Sequence, residues 1–409
     1  METDSDLIKD GDYIIVKRQN YTKIHKLTKT KCFVMLGKDE IDLTAVIGER
    51  YWTTYKLERK GKSRAYILKK CKKEISFTDE IIKEVPSGVD NREIKDDGMS
   101  QKLSTEEIIN LRTCGLSGQE IVSQLVENST TFINKTEYSQ EKYLKKKEKK
   151  YFEYVTVRKP TLRLISEVLM RQPQKVLGLR MDTLAQITAV ANVRSGGTYI
   201  LYENGCMGIV AAALLDRLGP EGNIIHVHPG CSDHPTLAVL SLNLPKERFS
   251  QLRSIDIHKL CDQQSVTEES KEEKGENNVE VGQKRKSEES TTGDWKRRKI
   301  EAEERIFELL SNRKVDSLII VGKEHPKSIF TVLVKYLDIS RPFVVYCPIR
   351  EPLQELYCDL KSRSDVICIR ITESFMRGYQ ILPDRTHPDI NMSGSGGYLL
   401  TGILVNAQE

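Results

Sequence analysis

Short runs of alternating hydrophobic and polar residues fill the first part of the chain. Residues 1–85 contain six of them, separated by Gly, Asp and Lys: DYIIVKR, YTKIHKL, KCFVMLG, IDLTAVIG, YWTTYKLE and RAYILKK. A period of two is typical of strands with one buried face, and several short strands between turn residues favour a closed sheet. The pattern predicts a small N-terminal β-barrel over residues 1–85.

The hydrophobic period becomes helical after a polar, turn-rich stretch at residues 86–101. Ser104 and Glu107 have the spacing of a capping box, which marks the start of a helix. A second, highly charged helix is predicted from about Thr136 to Tyr151. We interpret residues 86–160 as a linker followed by a basic helical segment.

Helical and strand patterns alternate from Thr161 onward. Strands are predicted at residues 198–203, 223–228, 316–322, 341–347 and 366–371, and helices at residues 182–193, 208–218, 234–242, 326–337 and 351–363. Strands that are apolar throughout, such as SLIIVG and PFVVYC, indicate burial on both faces. Residues 161–409 are therefore predicted to form an α/β, Rossmann-like domain with a doubly wound, mostly parallel sheet. The tail GYLLTGILVNA is expected to add an antiparallel strand at the edge.

One segment interrupts this domain. Residues 262–300 are rich in Glu, Lys, Ser and Gln and contain almost no core-forming residues, so they are predicted to be a disordered insertion. Basic clusters at residues 284–286 and 296–299 have the spacing of a bipartite nuclear import signal. The alternative is an ordinary solvated run of charges.

Composition narrows the class of protein. The 409 residues are 38% hydrophobic and 30% charged, which suits a soluble protein of two or three domains. No apolar run reaches about 18 residues, so no membrane span is expected. The nine cysteines are odd in number and form no C-x-x-C pair, and the acidic start lacks an apolar signal core. These features indicate reduced thiols in the cytosol or nucleus.

The glycine turn after the strand TYILYE is the most informative motif. Class I methyltransferases bind S-adenosylmethionine at such a unit, where three glycines at a spacing of two admit the ligand and an acid that ends the next strand binds its ribose. Only Gly205 is in register here. Met207 and Ile209 take the other glycine positions, and His228 takes that of the acid. The sequence predicts the fold with a degenerate site and no cofactor bound by this chain.

No catalytic residue and no metal site are predicted. Methyltransferases that act on a base nitrogen place an Asp or Asn at the carboxyl end of the fourth strand. Asp316 is instead at the start of DSLIIVGKEHP, and only Glu324 is near its end. Residue types that bind zinc lie at the end of the second strand and just after it: His226 and His228, which would share one face of the strand, and then Cys231, Asp233 and His234. Because they offer no second ligand pair, a strand end followed by a turn is the simpler interpretation.

The most basic segment is the end of the second predicted helix. It carries six lysines in nine residues: Lys142, Lys145, Lys146, Lys147, Lys149 and Lys150. Such a face attracts phosphates without sequence preference, and Tyr143 and Tyr151 beside it favour contact with RNA. The alternative is a solvated helix end stabilised by the helix dipole. We predict RNA contact.

The C-terminal segment ESFMRGYQILPDRTHPDINMSGSGGYLLTG is the second candidate for RNA contact. Arg377, Arg385 and the glycine run at residues 394–397 are expected to place cationic groups and accessible backbone on an edge hairpin. The alternative is an ordinary loop between strands.

Four blocks of sequence resemble one protein family: LVENSTTFINKTEYSQEKYLKKKEKKY, DTLAQI, SRPFVVYCPIREPL and YQILPDRTHPDINMSGSGGYLLTG. Over nearly its whole length, the chain is similar to the non-catalytic subunit of the tRNA (adenine-58-N1) methyltransferase. The resemblance implies tRNA binding, a nuclear location and a catalytic paralogue that binds S-adenosylmethionine. It also implies a heterotetramer with two subunits of each kind, in which the enzymatic activity belongs to the complex.

Two other functions remain open. A catalytically active methyltransferase with a divergent pocket would bind the cofactor as an isolated chain. A stand-alone RNA-binding scaffold would bind tRNA tightly without a paralogous partner.

Overall fold

The computed structural model divides the chain into two compact units, residues 1–160 and 161–409. It describes residues 6–19, 21–60, 64–71, 88, 100–114, 116, 118–151, 154–230, 236–262, 292–312, 314–382, 385–390, 392 and 394–407. Only the backbone is described for residues 112, 113, 148, 149, 292–300, 312, 382 and 385.

The first unit contains a seven-stranded sheet that forms a nearly closed barrel. Its strands are β1 (Tyr13–Arg18), β2 (Tyr21–Lys26), β3 (Phe33–Leu36), β4 (Asp39–Asp42), β5 (Thr53–Arg59), β6 (Ala65–Cys71) and β7 (Tyr154–Arg158). Their order is β2-β1-β7-β5-β6-β4-β3, antiparallel except for β4 and β6. Alternate residues such as Ile14, Val16 and Tyr55 point inward and form the barrel core. The predicted barrel is confirmed.

Side chains connect the two edge strands of this barrel. The ammonium group of Lys23 on β2 donates to the carbonyl oxygen of Met35 on β3 at 3.4 Å. The Nε2 atom of His25 lies 3.1 Å from the carbonyl oxygen of Lys31, just before β3. These contacts bring β2 and β3 together, although the strand order gives them no shared main-chain ladder.

Strand β7 comes from outside the segment in which the barrel was predicted. It pairs with β1 and β5, and Val157 lies opposite both Val16 and Thr53. The sequence alone assigns these residues to the helical segment, because five alternating residues soon after a lysine-rich helix give little periodicity to detect. The barrel therefore contains residues from both ends of the first unit.

In the described part of the chain between β6 and β7, the helices are α1 (Thr105–Thr113), α2 (Gly118–Glu127) and α3 (Glu137–Tyr151). The predicted capping box is confirmed at the start of α1. The amide of Ser104 donates to Oε2 of Glu107 at 2.8 Å, and the amide of Glu107 donates to Oγ of Ser104 at 3.2 Å. Helices α2 and α3 pack through an apolar cluster that includes Leu125 and Leu144.

The second unit is built on another seven-stranded sheet. Its strands are β8 (Thr198–Glu203), β9 (Asn223–His228), β10 (Leu252–Asp256), β11 (Ser317–Val321), β12 (Pro342–Cys347), β13 (Val366–Glu373) and β16 (Tyr398–Leu404). Their order is β10-β9-β8-β11-β12-β16-β13, and the five strands β8, β9, β10, β11 and β12 are parallel to one another. Strands β14 (Tyr379–Leu382) and β15 (Arg385–Pro388) form a separate hairpin. The doubly wound sheet is confirmed.

Helices pack on the faces of this sheet. They are α4 (Leu162–Leu169), α5 (Met181–Val190), α6 (Ile209–Leu218), α7 (Leu237–Ser241), α8 (Lys246–Phe249), α9 (257–262), α10 (Thr292–Asn312), α11 (Pro326–Leu333) and α12 (Glu351–Lys361). Helices α4 to α7 contact one another, and α10, α11 and α12 cover a core that includes Ile320, Phe330 and Leu356. None of the helices in the described ranges is long and apolar enough to span a membrane.

The sheet and the predicted insertion of this unit differ from the predictions in three features. Strand β16 is antiparallel, as expected, but it lies between β12 and β13 rather than at the edge. Strand β10 was not predicted. Residues 292–300 were predicted to be disordered but begin helix α10, whose later half is anchored by the fully buried Ile306. The rest of the predicted insertion, residues 263–291, lies outside the described residues.

Candidate functional site

The strand order of the second unit reverses between β8 and β11. Chain connections run from β8 outward through β9 and β10, and β11 starts the other half of the sheet. In open α/β sheets, ligands bind at the carboxyl ends of the strands at this switch point. The residues there are the loop from Asn204 to Gly208 and the end of β11 with Lys323 and Glu324.

The loop from Asn204 to Gly208 has glycine at only some of the positions where its backbone takes a left-handed conformation. Gly205 and Gly208 have φ angles of 86° and 75°, in the left-handed region that glycine adopts without strain. Met207 lies between them with a φ of 58°, where a side chain is unfavourable. Gly208 was not singled out from the sequence, because its position is out of register with the expected spacing. Ile209, which takes a glycine position of the motif, begins α6 and is fully buried, so its side chain packs in the core.

Glu203, the last residue of β8, is bound to the start of α6. Its carboxylate accepts hydrogen bonds from the amides of Val210 at 3.3 Å and Ala211 at 3.0 Å. Burial raises the pKa of Glu203 to about 7, although these backbone amides lower it. The amides that make a helix N-terminus attractive to ligands are therefore bonded within the chain.

A direct contact joins the two central strands at the switch point. The side-chain amide of Asn204 donates to Oε1 of Glu324 at 2.5 Å, and the main-chain amide of Asn204 donates to the carbonyl oxygen of Val321 at 3.0 Å. The side chain of Lys323 lies over Gly205, since a Cβ atom at Gly205 would be 2.6 Å from its Cε. Side chains of this protein thus contact each other where a ligand would lie.

The end of β9 lacks the acid that a ribose requires. His228 is half-buried there, and its strand neighbour on β10 is Asp256. Oδ1 of Asp256 accepts a hydrogen bond from the amide of His258 at 2.9 Å. Asp256 is not recognisable as a site residue from the sequence, because β10 was not predicted. The crevice formed by Met207, His228 and the bonded pair Asn204 and Glu324 therefore does not fit S-adenosylmethionine.

Asp316 is structural. It lies at the amino end of β11, where Oδ2 accepts a hydrogen bond from the amide of Thr198 at 3.0 Å. Oδ1 lies 3.3 Å from Arg194 and 3.2 Å from Arg341. These contacts tie the amino ends of β8, β11 and β12 together, at the opposite edge from the switch point.

The histidine pair on β9 lies on one face of the strand, as predicted. The rings of His226 and His228 are 6.2 Å apart in an edge-to-face arrangement. Cys231, Asp233 and His234 lie outside the described residues. Among the residues that the structure describes, no three His, Cys, Asp or Glu side chains are grouped to hold a metal ion.

The lysine-rich helix α3 has two kinds of lysine. Lys142, Lys146 and Lys150 are exposed at intervals of four residues, which places them on one face of the helix. Lys145 is also exposed but forms an ion pair with Glu141 one turn earlier. The side chain of Lys149 is outside the described part of the chain. The exposed stripe of Lys142, Lys146 and Lys150 is therefore the part of α3 best placed to meet phosphates.

Lys147 has a different environment. Its ammonium group lies 5.1 Å from the centre of the Tyr143 ring, and that of Lys135 lies at the same distance. Burial, followed by repulsion from neighbouring lysines, lowers the pKa of Lys147. Tyr143 packs against the apolar cluster between α2 and α3. Lys147 thus contributes to packing in the helical segment, a role that the sequence did not separate from that of its neighbours.

The glycine run near the C-terminus is a packing site. Thr183 at the start of α5 donates from Oγ1 to the carbonyl oxygen of Gly396 at 3.0 Å. Nearby, Arg180 binds Asp182 and the carbonyl oxygen of Ser374, the latter at 2.7 Å. Gly396 is buried, in contrast to the accessible backbone that was expected, and only the start of the run is exposed. Two of the four resembling blocks, DTLAQI and the C-terminal segment, therefore pack against each other.

The hairpin of β14 and β15 exposes an unusual amount of apolar surface. Ile381 is 81% exposed and Ile390 is 92% exposed. Three more large apolar side chains are exposed just before and within β14: Phe375, Met376 and Tyr379. Arg377 is exposed among them, whereas the side chain of Arg385 is outside the described part of the chain. Clustered exposed apolar residues of this kind mark interaction surfaces.

The second unit defines the class of this protein: a Rossmann-like, methyltransferase-type domain with a degenerate cofactor crevice. An S-adenosylmethionine-dependent O-methyltransferase from Thermotoga maritima has a similar fold, with a TM-score of 0.50 and 13% identity over 100% of this chain and 98% of that one. At this identity the likeness concerns the fold alone.

The chain belongs to the Gcd10p family, whose family model matches residues 7–289. It is 35% identical to the mouse tRNA (adenine(58)-N(1))-methyltransferase non-catalytic subunit TRM6, over 97% of this chain and 88% of that protein. It is 30% identical to the Dictyostelium discoideum protein of the same name, over 99% of this chain and 81% of that protein. The resemblance drawn from the four sequence blocks is confirmed.

Proposed function

We propose that this chain is the substrate-binding, non-catalytic subunit of a tRNA (adenine-58-N1) methyltransferase. The mouse and Dictyostelium relatives are named as non-catalytic subunits of that enzyme. One observation carries the proposal: Asn204 and Glu324 are bonded to each other at the switch point of the sheet. Because its own side chains occupy the crevice in which this fold binds a ligand, the domain is better suited to binding a partner subunit than to catalysing a reaction.

The proposal divides the chemistry between two kinds of subunit. The catalytic paralogue binds S-adenosylmethionine and supplies the catalytic carboxylate, and the methyltransferase activity belongs to the complex. Two subunits of each kind form a heterotetramer. This chain contributes no cofactor ligand and no catalytic residue, in keeping with Met207 in the glycine loop and His228 at the end of β9.

The catalytic paralogue is the proposed occupant of the apolar hairpin. Ile381 and Ile390 are too exposed to stabilise this chain by itself, and obligate interfaces between subunits are rich in such residues. The hairpin pairs with no other strand of the described chain, so its outer edges remain available to a second sheet.

The exposed stripe of Lys142, Lys146 and Lys150 is the proposed electrostatic contact with tRNA. A tRNA backbone carries closely spaced phosphates, and release of its counterions favours binding to clustered cations. Arg377 and Arg385 are proposed to add contacts from the second unit, because a guanidinium group binds a phosphate through two parallel hydrogen bonds.

A nuclear location is part of the same proposal. The clusters at residues 284–286 and 296–299 are proposed to act together as an import signal. A fluorescent fusion of the full chain is expected to concentrate in the nucleus, and substitution of both clusters by alanine is expected to abolish this. If the substituted fusion remains nuclear, the clusters are not the signal.

Co-expression with the catalytic paralogue tests the proposal as a whole. We expect a complex with the mass of two subunits of each kind, which methylates a tRNA transcript, whereas this chain alone does not. Glu324→Ala in the complex is expected to leave turnover within a few-fold, because Glu324 has no chemical role. Cofactor binding by the isolated chain would favour an active methyltransferase, and tight tRNA binding without assembly would favour a scaffold.

A further inference from the structure

Trp52 has an unfavourable backbone conformation. It lies in the turn before β5 with a φ of 69°, in the left-handed region that bulky residues rarely adopt. Its amide donates to the carbonyl oxygen of Val157 on β7 at 2.7 Å, which fixes the turn against the barrel. Among the described non-glycine residues with positive φ, Trp52 is the only aromatic one. Strain of this kind is retained where a side chain has a function beyond the fold.

The indole ring adds little to the barrel that carries it. Trp52 is 54% exposed and does not belong to the barrel core. Its neighbour Tyr51 is buried in that core and donates from its hydroxyl to Oδ2 of Asp12 at 3.2 Å. The two adjacent aromatic residues thus have separate roles: Tyr51 packs the barrel, and Trp52 faces solvent.

One cationic side chain lies against the exposed ring, and two more belong to residues next to Tyr51 or Trp52 in the sequence or the fold. The guanidinium carbon of Arg158, at the end of β7, lies 5.5 Å from the centre of the Trp52 ring. Lys159 follows it, with its ammonium group 5.9 Å from the Tyr51 ring and 3.3 Å from Asp6. Arg50 is exposed two residues before Trp52. An aromatic face next to arginine and lysine is the arrangement that binds unpaired nucleotides, where the ring stacks on a base and the cations meet phosphates.

We propose that Trp52 and Arg158 form a stacking site for an unpaired nucleobase of RNA. The inference rests on the proposed function, in which tRNA is the substrate, and adds a contact that differs in kind from the lysine stripe of α3. Helix α3 ends at Tyr151 and β7 runs from Tyr154 to Arg158. Five residues of strand extend roughly 16 Å, so the stacking site and the lysine helix belong to neighbouring elements of the same unit.

Fluorescence tests the stacking contact directly. The chain has two tryptophans, Trp52 and Trp295, so the full chain carrying Trp295→Phe reports on Trp52 alone. The probes are a single-stranded oligouridylate, a blunt RNA duplex of the same length and a tRNA transcript. We expect the oligouridylate and the tRNA to quench the emission, and the duplex, which offers phosphates without unpaired bases, to leave it unchanged. Unchanged emission when filter binding shows that the tRNA is bound would overturn the proposal.

Substitutions in the reconstituted complex separate stacking from structure. Asparagine tolerates a positive φ, so Trp52→Asn is expected to preserve the melting temperature and to weaken tRNA binding by roughly 5- to 150-fold. Trp52→Phe is expected to retain part of the affinity that Trp52→Asn loses. Arg158→Lys, which keeps the charge without the planar group, is expected to bind tRNA less tightly than wild type. A lower melting temperature or failed assembly in Trp52→Asn, or wild-type affinity, would each contradict the stacking site.

If the proposed function is wrong, the experiments give a result that differs from a failure of the stacking site. The wild-type complex would then neither bind nor methylate the tRNA transcript. Quenching of Trp52 by oligouridylate is measured on this chain alone, so it is decided independently of the complex.

Discussion

The side-chain amide of Asn204 lies 2.5 Å from Oε1 of Glu324, and this hydrogen bond joins the carboxyl ends of β8 and β11. Both residues are partly buried, and burial together with the Glu324 carboxylate raises the pKa of Tyr202 on the same strand as Asn204. Side chains of the chain itself therefore occupy the switch point. A ligand at this position would have to break a contact between the two central strands.

The first prediction concerns the cofactor. Calorimetry on the purified chain is expected to show no heat above background at millimolar S-adenosylmethionine, because Met207, His228 and the Asn204–Glu324 contact remove both the space and the hydrogen bonds. The purified catalytic paralogue, titrated under the same conditions, is the positive control. Micromolar binding by this chain would show that its crevice opens.

The second prediction concerns pH and Glu203. Because burial raises its pKa from 4.5 to about 7, the folded state binds a proton more tightly than the unfolded state does. The stabilisation of the folded state by protonated Glu203 is fully present below about pH 4.5 and is lost as the pH rises through 7. The free energy of unfolding is expected to fall by about 3 kcal/mol more in wild type than in Glu203→Gln across this range. Parallel profiles for the two proteins would mean that Glu203 does not titrate there.

The third prediction concerns the stripe on α3. Changing Lys142, Lys146 and Lys150 together to Glu is expected to weaken tRNA binding by the complex. The slope of log affinity against log salt should decrease by about one unit for each phosphate that the variant no longer neutralises. A matched control is the same charge change at exposed lysines of the second unit: Lys175, Lys314 and Lys335. Equal effects in both variants would indicate a general charge effect and no specific contact.

The fourth prediction concerns Arg377. In the complex, Arg377→Ala is expected to raise the apparent KM for tRNA, because a charge-assisted hydrogen bond is worth about 1.5–3 kcal/mol. The melting temperature should change little, since the side chain is exposed. Arg305→Ala on α10, also exposed, is the control. If Arg377→Ala dissociates the complex with the KM of the remaining assembly unchanged, this arginine belongs to the subunit interface.

The fifth prediction concerns Gly397. Its φ is 77°, and a Cβ atom there would lie 2.5 Å from the hydroxyl oxygen of Tyr346, which donates to the carbonyl oxygen of Leu177 at 2.8 Å. Gly397→Ala is expected to destabilise the chain by about 2–4 kcal/mol through backbone strain and overpacking. Chemical denaturation measures the effect. Adding Tyr346→Ala to the Gly397→Ala chain should relieve the overpacking but not the backbone strain. If the losses of stability in the two single variants simply add in the double variant, the steric explanation is excluded.

The sequence predicted much of the second unit, because its central strands are apolar throughout. Strands such as Ser317–Val321 and Pro342–Cys347 are buried on both faces, and burial of this kind is visible in composition. The position of β16 between β12 and β13 was not predictable in the same way. Strand order depends on which partners pair in three dimensions, and the residues of GYLLTGILVNA suit an edge and an inner position equally.

The candidate site was predicted less completely. Met207 and His228 were identified by counting from Glu203, since the spacing of the glycine loop is local. The contact of Asn204 with Glu324 joins residues 120 positions apart, and no local pattern indicates it. Trp52 was missed for another reason: its alternation with Thr54 and Lys56 is typical of an ordinary strand, and its positive φ is visible only in the structure.

The place of β7 in the barrel has a consequence for synthesis on the ribosome. β7 lies between β1 and β5, so without it the first six strands fall into a hairpin of β1 and β2 and a separate sheet of four strands. Until Arg158 has emerged, β1 and β5 therefore lack the strand that lies between them and present unpaired edges. A truncated product that ends after the lysine helix would have no complete N-terminal domain, and we expect it to be degraded or bound by chaperones.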